Sequence, residues 1–99
     1  VALLARLSHP NVMRLWRGCV QVEDGKRNLL MVTELVEKGD LSMLLHNRGG
    51  PSLQEALTFP QAIWLSLGIA RGMEYLHVCN VLHLDLKSPN VLIDVSWNP

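Results

Sequence analysis

Apolar side chains change their rhythm several times along this chain, and each rhythm predicts an element. Leu3, Leu4 and Leu7 share one helical face before Ser8-His9-Pro10-Asn11 breaks it, so residues 1–7 read as the last turns of a helix. Val12–Val22 alternates loosely, the polar stretch Glu23-Asp24-Gly25-Lys26 follows, and Leu29–Val36 is an apolar run. Two strands joined by an Asp-Gly turn account for this pattern: a hairpin with a buried second strand and a solvated tip at Glu23–Arg27. Lys38-Gly39-Asp40 then offers a break and an N-cap aspartate for a short helix reaching about His46. Residues 47–52, with two glycines and a proline, form a loop.

From Phe59-Pro60 to about Val78 the spacing predicts a long helix. Ile63, Leu67, Ala70 and His77 lie on one stripe, and Leu65, Ile69, Met73 and Leu76 on the next. So wide an apolar arc predicts a largely buried helix, with Trp64 and Met73 in the core. Val81–Ile93 closes the chain with two short apolar runs around the polar loop Asp85-Leu86-Lys87-Ser88-Pro89-Asn90. No internal repeat points to a solenoid.

Composition narrows the classes. At 99 residues the chain makes at most one small domain, and 48% hydrophobic content suits a folded one. Nine basic and nine acidic side chains cancel, leaving no electrostatic footprint for nucleic acid. No apolar run approaches a bilayer span, and no secretion signal is present. Two cysteines, Cys19 and Cys79, make no disulfide framework. The expectation is a reduced, cytoplasmic protein. A first residue other than methionine, and an end directly after an apolar stretch, suggest a piece of something longer.

The polar loop carries the chemistry. Asp85 can accept a hydroxyl proton, Lys87 can neutralise a transferring phosphoryl group, and the side-chain amide oxygen of Asn90 is a hard ligand suited to Mg²⁺. These needs coincide in phosphoryl transfer. His83-Leu84-Asp85-Leu86-Lys87-Ser88-Pro89-Asn90 resembles the protein-kinase catalytic loop, H-R-D-L-x-x-x-N. Other stretches resemble kinase landmarks in the family's order. Leu7-Ser8-His9-Pro10-Asn11 looks like the junction of helix αC with strand β4, and Leu30–Val36 like strand β5 entering the interlobe hinge. Gly39-Asp40-Leu41 looks like the start of helix αD, and Ile69–His77 like the end of helix αE. Lys-Ser-Pro-Asn is similar to the tyrosine-kinase-like branch of serine/threonine kinases, which includes Raf-like and mixed-lineage types.

The resemblance implies an incomplete protein-kinase-like fold of the α+β class. About residues 1–36 would be the end of the N-lobe with its hinge, and about 37–99 the first part of the helical C-lobe. It implies transfer of the ATP γ-phosphoryl group to serine or threonine of a protein substrate, with Mg²⁺ as cofactor. Asp85 would be the base, Lys87 the contact to the γ-phosphate, and Asn90 a metal ligand. Thr33 would be the gatekeeper. Glu34 and Val36 would pair with the adenine edge through their backbones, Asp40 would lie near the ribose, and Leu92 would floor the adenine.

Departures temper these expectations. Leu84 replaces the family's usual arginine, so pairing with a phosphorylated activation loop is not expected. The family's αC glutamate would fall just before Val1 and its Asp-Phe-Gly shortly after Pro99, and the Gly-rich loop is missing too. The 99 residues alone are therefore expected to be inactive.

Blander readings stand beside these. Asp85 alone would be a turn aspartate, Asp40 a simple cap, Thr33 and Leu92 core residues, and His83 a structural histidine bonded within its loop. The rival from the binding class is a pseudokinase or truncated kinase-like scaffold. A second rival is zinc on His77, Cys79 and His83 with His46, His9 or Cys19, disfavoured because His77 would lie on a buried helix face.

Overall fold

A computed structural model describes residues 6–46 and 57–99. The helix expected over 1–7 and the loop over 47–52 fall wholly or almost wholly outside them. The chain divides into two compact units, Val1–Leu35 and Val36–Pro99.

The first unit is the hairpin. Strand β1 (Leu15–Glu23) pairs antiparallel with β2 (Lys26–Thr33), from Glu23 opposite Lys26 to Leu15 opposite Thr33. Asp24 and Gly25 connect them, both at positive φ (50° and 73°). Such a two-residue turn matches the twist of the flanking strands, and aspartate and glycine tolerate the left-handed region best. The register slips between Leu15 and Arg17, so Trp16 is an extra residue bulged out of β1. Pairing stops at Thr33 because β1 begins at Leu15, which shortens the strand expected to reach Val36.

One expectation fails here. Leu29, Leu30, Met31 and Val32 are exposed, Leu29 to 57% and Val32 to 48%. A continuous apolar run is the pattern of a strand covered on both faces, but among the described residues of this unit only Leu7 and Leu15 are buried. Thr33, expected in the core, is half-buried.

The second unit is mostly helical. Helix α1 (Leu41–Leu45) starts where expected, with the Asp40 carboxylate accepting the Met43 N–H at 2.9 Å. Before it, Gly39 takes φ 80°, and an added Cβ would come within 2.9 Å of the Met43 sulfur. Helix α2 (Phe59–Val78) matches its expected bounds. A capping box opens it: the Gln61 N–H donates to Thr58 Oγ1 at 3.3 Å, and the Thr58 N–H to Gln61 Oε1 at 2.9 Å. Asn80, at φ 59°, closes it. The Val81 N–H reaches Leu76 O at 2.8 Å and the Asn80 N–H reaches His77 O at 3.0 Å, the Schellman pattern of carbonyl capping.

The buried line on α2 runs through Leu65, Gly68, Gly72 and Leu76. Ile69 and Met73 beside it are half-buried, whereas Ile63, Leu67, Ala70 and His77 are exposed. The helix is thus buried on one side only, and Trp64, expected in the core, is 49% exposed. His77 lies on an exposed face, contrary to the reason given against a zinc site.

Residues 38–41 run antiparallel to 91–93 and form a short seam. The Lys38 N–H donates to Ile93 O (3.1 Å), the Ile93 N–H to Gly39 O (2.9 Å) and the Leu41 N–H to Val91 O (2.8 Å), with Asp40 bridged to Leu92. Among the described residues of this unit, Leu65, Leu76, Val91 and Ile93 are the buried apolar side chains. Leu92, between two of them, is half-buried rather than in the core.

Candidate active site

The polar loop folds back on itself. Lys87 is extended (φ −158°), and Ser88–Asn90 form a single 3₁₀ turn with proline near its start, closed by the Asn90 N–H donating to Lys87 O at 2.9 Å. That turn returns Asn90 to Asp85. The Asn90 Nδ2 group donates to the Asp85 backbone carbonyl at 2.8 Å and to Asp85 Oδ2 at 3.1 Å. On the other side, His83 Nδ1 accepts the Asp85 N–H at 3.2 Å, the structural part read for that histidine. Asp85 is therefore held at its N–H, its carbonyl and its carboxylate.

The Lys87 ammonium lies 3.6 Å from Asp85 Oδ1, with the two side chains 56% and 66% exposed. So exposed a pair contributes little to stability, about 0–1 kcal/mol. Its relevance is positional: a cation and a carboxylate face solvent side by side. Leu84, immediately before Asp85, is exposed at φ 65°. A branched apolar side chain seldom occupies that region, and the loop's bonds hold it there.

The remaining candidates are distributed between the units. In the second, Asp40 and Leu92 are brought together across the seam, and Asp40 also caps α1. Val36 begins that unit. In the first, the Thr33 hydroxyl donates to Glu34 O at 3.2 Å, and Glu34 Oε1 accepts the Arg14 N–H at 3.4 Å.

Among the described residues, no three of the histidines, cysteines, aspartates and glutamates gather as a metal cage. Magnesium does not need one, since it is commonly held by one or two protein oxygens together with phosphates. With Nδ2 committed to Asp85, the Asn90 amide has its carbonyl oxygen left as such a donor. That oxygen is a hard donor of the kind Mg²⁺ takes.

Past Ile93, a tight turn gathers donors on Asp94 that the motif reading did not anticipate. Asp94 Oδ1 accepts the Ser96 N–H (2.8 Å) and the Asn98 N–H (2.9 Å), and Oδ2 accepts the Asn98 amide (3.3 Å). The only signal in the sequence is an aspartate followed two and four residues later by serine and asparagine. The Asn98 backbone N–H is the main cause holding the Asp94 carboxyl below its ordinary 3.8; partial burial opposes it, and the Asn98 side chain and Ser96 N–H add to it. A lowered carboxyl adds stability that is whole above the unfolded value and is lost as pH falls through the folded one. The stability gap between wild type and Asp94→Ala should thus be constant above about pH 5 and narrow below about pH 4. Urea midpoints across a pH series check this; a gap indifferent to acid would show that the carboxylate's ionisation adds nothing.

The family described as protein tyrosine and serine/threonine kinase matches residues 1–97. The serine/threonine-protein kinase CTR1 of Arabidopsis thaliana is 41% identical over 99 residues, covering 98% of this chain and 11% of that protein. Dual specificity protein kinase shkB of Dictyostelium discoideum is 38% identical over 97 residues, covering 98% of this chain and 14% of that protein. A chain in the crystal structure of the yeast RNA Pol II CTD kinase CTDK-1 complex aligns with a TM-score of 0.71 at 35% identity, over 94% of this chain and 28% of that one. This chain spans about a seventh or less of the length of the two sequence relatives.

Proposed function

This chain belongs to the protein kinase family, and from that premise we propose that the protein transfers the γ-phosphoryl group of ATP to serine or threonine hydroxyls of a protein substrate. The observation that carries the reading is the closure of Asn90 onto Asp85 with Lys87 alongside. A base must be aimed as well as present, and three separate bonds aim this one.

In the proposed mechanism, the free face of the Asp85 carboxylate accepts the substrate hydroxyl proton. The hydroxyl oxygen forms its bond to the γ-phosphorus as the bond from that phosphorus to the ADP oxygen breaks. Lys87 offsets the negative charge on the transferring group from a neighbouring position on the same loop. Asn90 acts twice, steadying Asp85 with its NH₂ and offering its carbonyl oxygen to Mg²⁺. When bound, the metal supplies charge neutralisation across the phosphates. Asp40 and Leu92, opposed across the seam, are assigned to the ribose and to the adenine face, the backbones of Glu34 and Val36 to the adenine edge, and Thr33 to the gatekeeper position.

Serine and threonine are preferred because Lys87 occupies the place that the serine/threonine-directed pattern gives to lysine. A protein substrate rather than nucleic acid fits the zero net charge. A cytoplasmic site fits two unpaired cysteines, and among the described residues no helix is long and apolar enough to cross a membrane.

The test is to incubate the full-length protein with Mg²⁺, γ-labelled ATP and peptides presenting serine, threonine or tyrosine. Label on serine or threonine is expected. Label on tyrosine alone would overturn the acceptor assignment. Nucleotide binding without transfer to any acceptor would overturn the enzymatic reading in favour of a kinase-shaped scaffold.

A further inference from the structure

The seam between residues 38–41 and 91–93 carries two of the proposed nucleotide contacts, Asp40 and Leu92, yet it consists of only three backbone hydrogen bonds. At its Lys38 end something more is built. The Lys38 ammonium lies 4.6 Å from the centroid of the Trp97 ring, within the range of a cation–π contact. Trp97 is held at φ 62°, a region that a bulky side chain enters only when its surroundings impose it. Here they do: the Trp97 N–H donates to Asp94 O at 3.1 Å, and the Asp94 N–H to Asn98 O at 3.0 Å. The Asp94 carboxylate meanwhile binds Ser96 and Asn98. The turn is also anchored to α2, where Trp64 Nε1 donates to Asn98 Oδ1 at 3.2 Å.

Lys38 is two residues from Val36 and two from Asp40, and its N–H is bonded to the residue after Leu92. Whatever fixes Lys38 therefore fixes the backbone on which those three contacts ride. We propose that Trp97 is a positioning residue for nucleotide binding: its ring seats Lys38 and keeps the Val36–Asp40 segment aligned with Leu92 for an adenine nucleotide. The inference rests on the kinase reading above, but assigns a part to residues that touch neither the reacting atoms nor, in that reading, the nucleotide.

The test uses the full-length protein and compares KM for ATP with kcat. Trp97→Leu removes the π face while keeping apolar bulk, and Lys38→Met removes the charge while keeping the stem. Each should raise KM for ATP about two- to fivefold, the range that a partly exposed cation–π contact carries, with kcat within about twofold. Because the two residues act through one contact, the double variant should do no more than either single one. Trp97→Tyr and Lys38→Arg retain a ring and a cation and should stay near wild type. Should Trp97→Leu fail to fold, Lys38→Met alone carries the test.

A KM unchanged in both variants, with only the melting temperature lowered, would overturn the proposal and leave Trp97 as packing. Loss of kcat at constant KM would overturn it as well. A wild-type protein with a measurable ATP KM but indifferent variants removes this inference and spares the kinase reading. A wild type that binds no nucleotide removes both.

Discussion

Replacing Asp85 by asparagine should lower phosphoryl transfer by about 10²–10⁴-fold, the span that a positioned general base supplies, and should leave ATP affinity close to wild type. The structure explains why this substitution is a clean one. The two backbone bonds at position 85, the N–H to His83 Nδ1 and the carbonyl from Asn90, do not depend on the side chain. The Ser88–Asn90 turn closes on Lys87 rather than on Asp85. Only the 3.1 Å contact from Asn90 to the carboxylate and the exposed Lys87 pair change character, and an exposed pair contributes little to stability. Turnover, nucleotide affinity and melting temperature should be read together on the full-length protein. Transfer within about threefold of wild type would remove Asp85 as the base. A fall in melting temperature matching the loss of rate would mean that the loop, not the proton, had been disturbed.

The largest effect on stability is expected at Ile93, the one described side chain with 0% exposure. Truncating a buried isoleucine to alanine costs about 2–5 kcal/mol, depending on how far the site collapses into the space left. Ile93→Ala keeps the backbone N–H and carbonyl that bond Gly39 and Lys38, so the loss is one of packing. Ile93→Val should cost about 0.5–1.5 kcal/mol, and Val95→Ala, at a side chain 58% exposed, only about 0.5 kcal/mol either way. Urea midpoints of the full-length protein, compared at equal slope, check the series. Equal small shifts in all three would mean that Ile93 is not the centre of a packed core. Because Leu92, proposed above to floor the adenine, rides on the same short segment, the alanine variant should also weaken ATP binding.

What could be read from the residues alone divides along a physical line. Local features were legible. The Asp24-Gly25 turn, the Asp40 cap and both ends of α2 depend on groups no more than five residues apart. The polar loop was legible as a spacing, since Asp85, Lys87 and Asn90 lie within six residues, and closing them needs only one 3₁₀ turn.

Burial was not legible, because an apolar side chain does not state what lies against it. Leu29–Val32 and the side of α2 that carries Ile63 and Leu67 have core composition and are nonetheless exposed. Gly68 and Gly72, which line the packed side of α2, carry no apolar side chain to mark it. Nor could the contact between Lys38 and Trp97 be read. They are 59 positions apart (97 − 38) with no motif linking them, and the ring's placement depends on a left-handed backbone that tryptophan does not advertise.

The seam has a further consequence, for the order of events during folding. It joins Asp40 to Leu92, 52 positions apart (92 − 40), whereas the hairpin turn and α2 are built from near neighbours. Contacts of long sequence separation must first close the intervening loop and so come late. The hairpin and α2 are accordingly expected to be in place before Asp40 meets Leu92. On that sequence the chain would acquire most of its regular structure while still unable to present a nucleotide site. With the proposed nucleotide contacts Asp40 and Leu92 on that seam, recognition of ATP would then be among the last properties to emerge, and among the first lost when the seam opens.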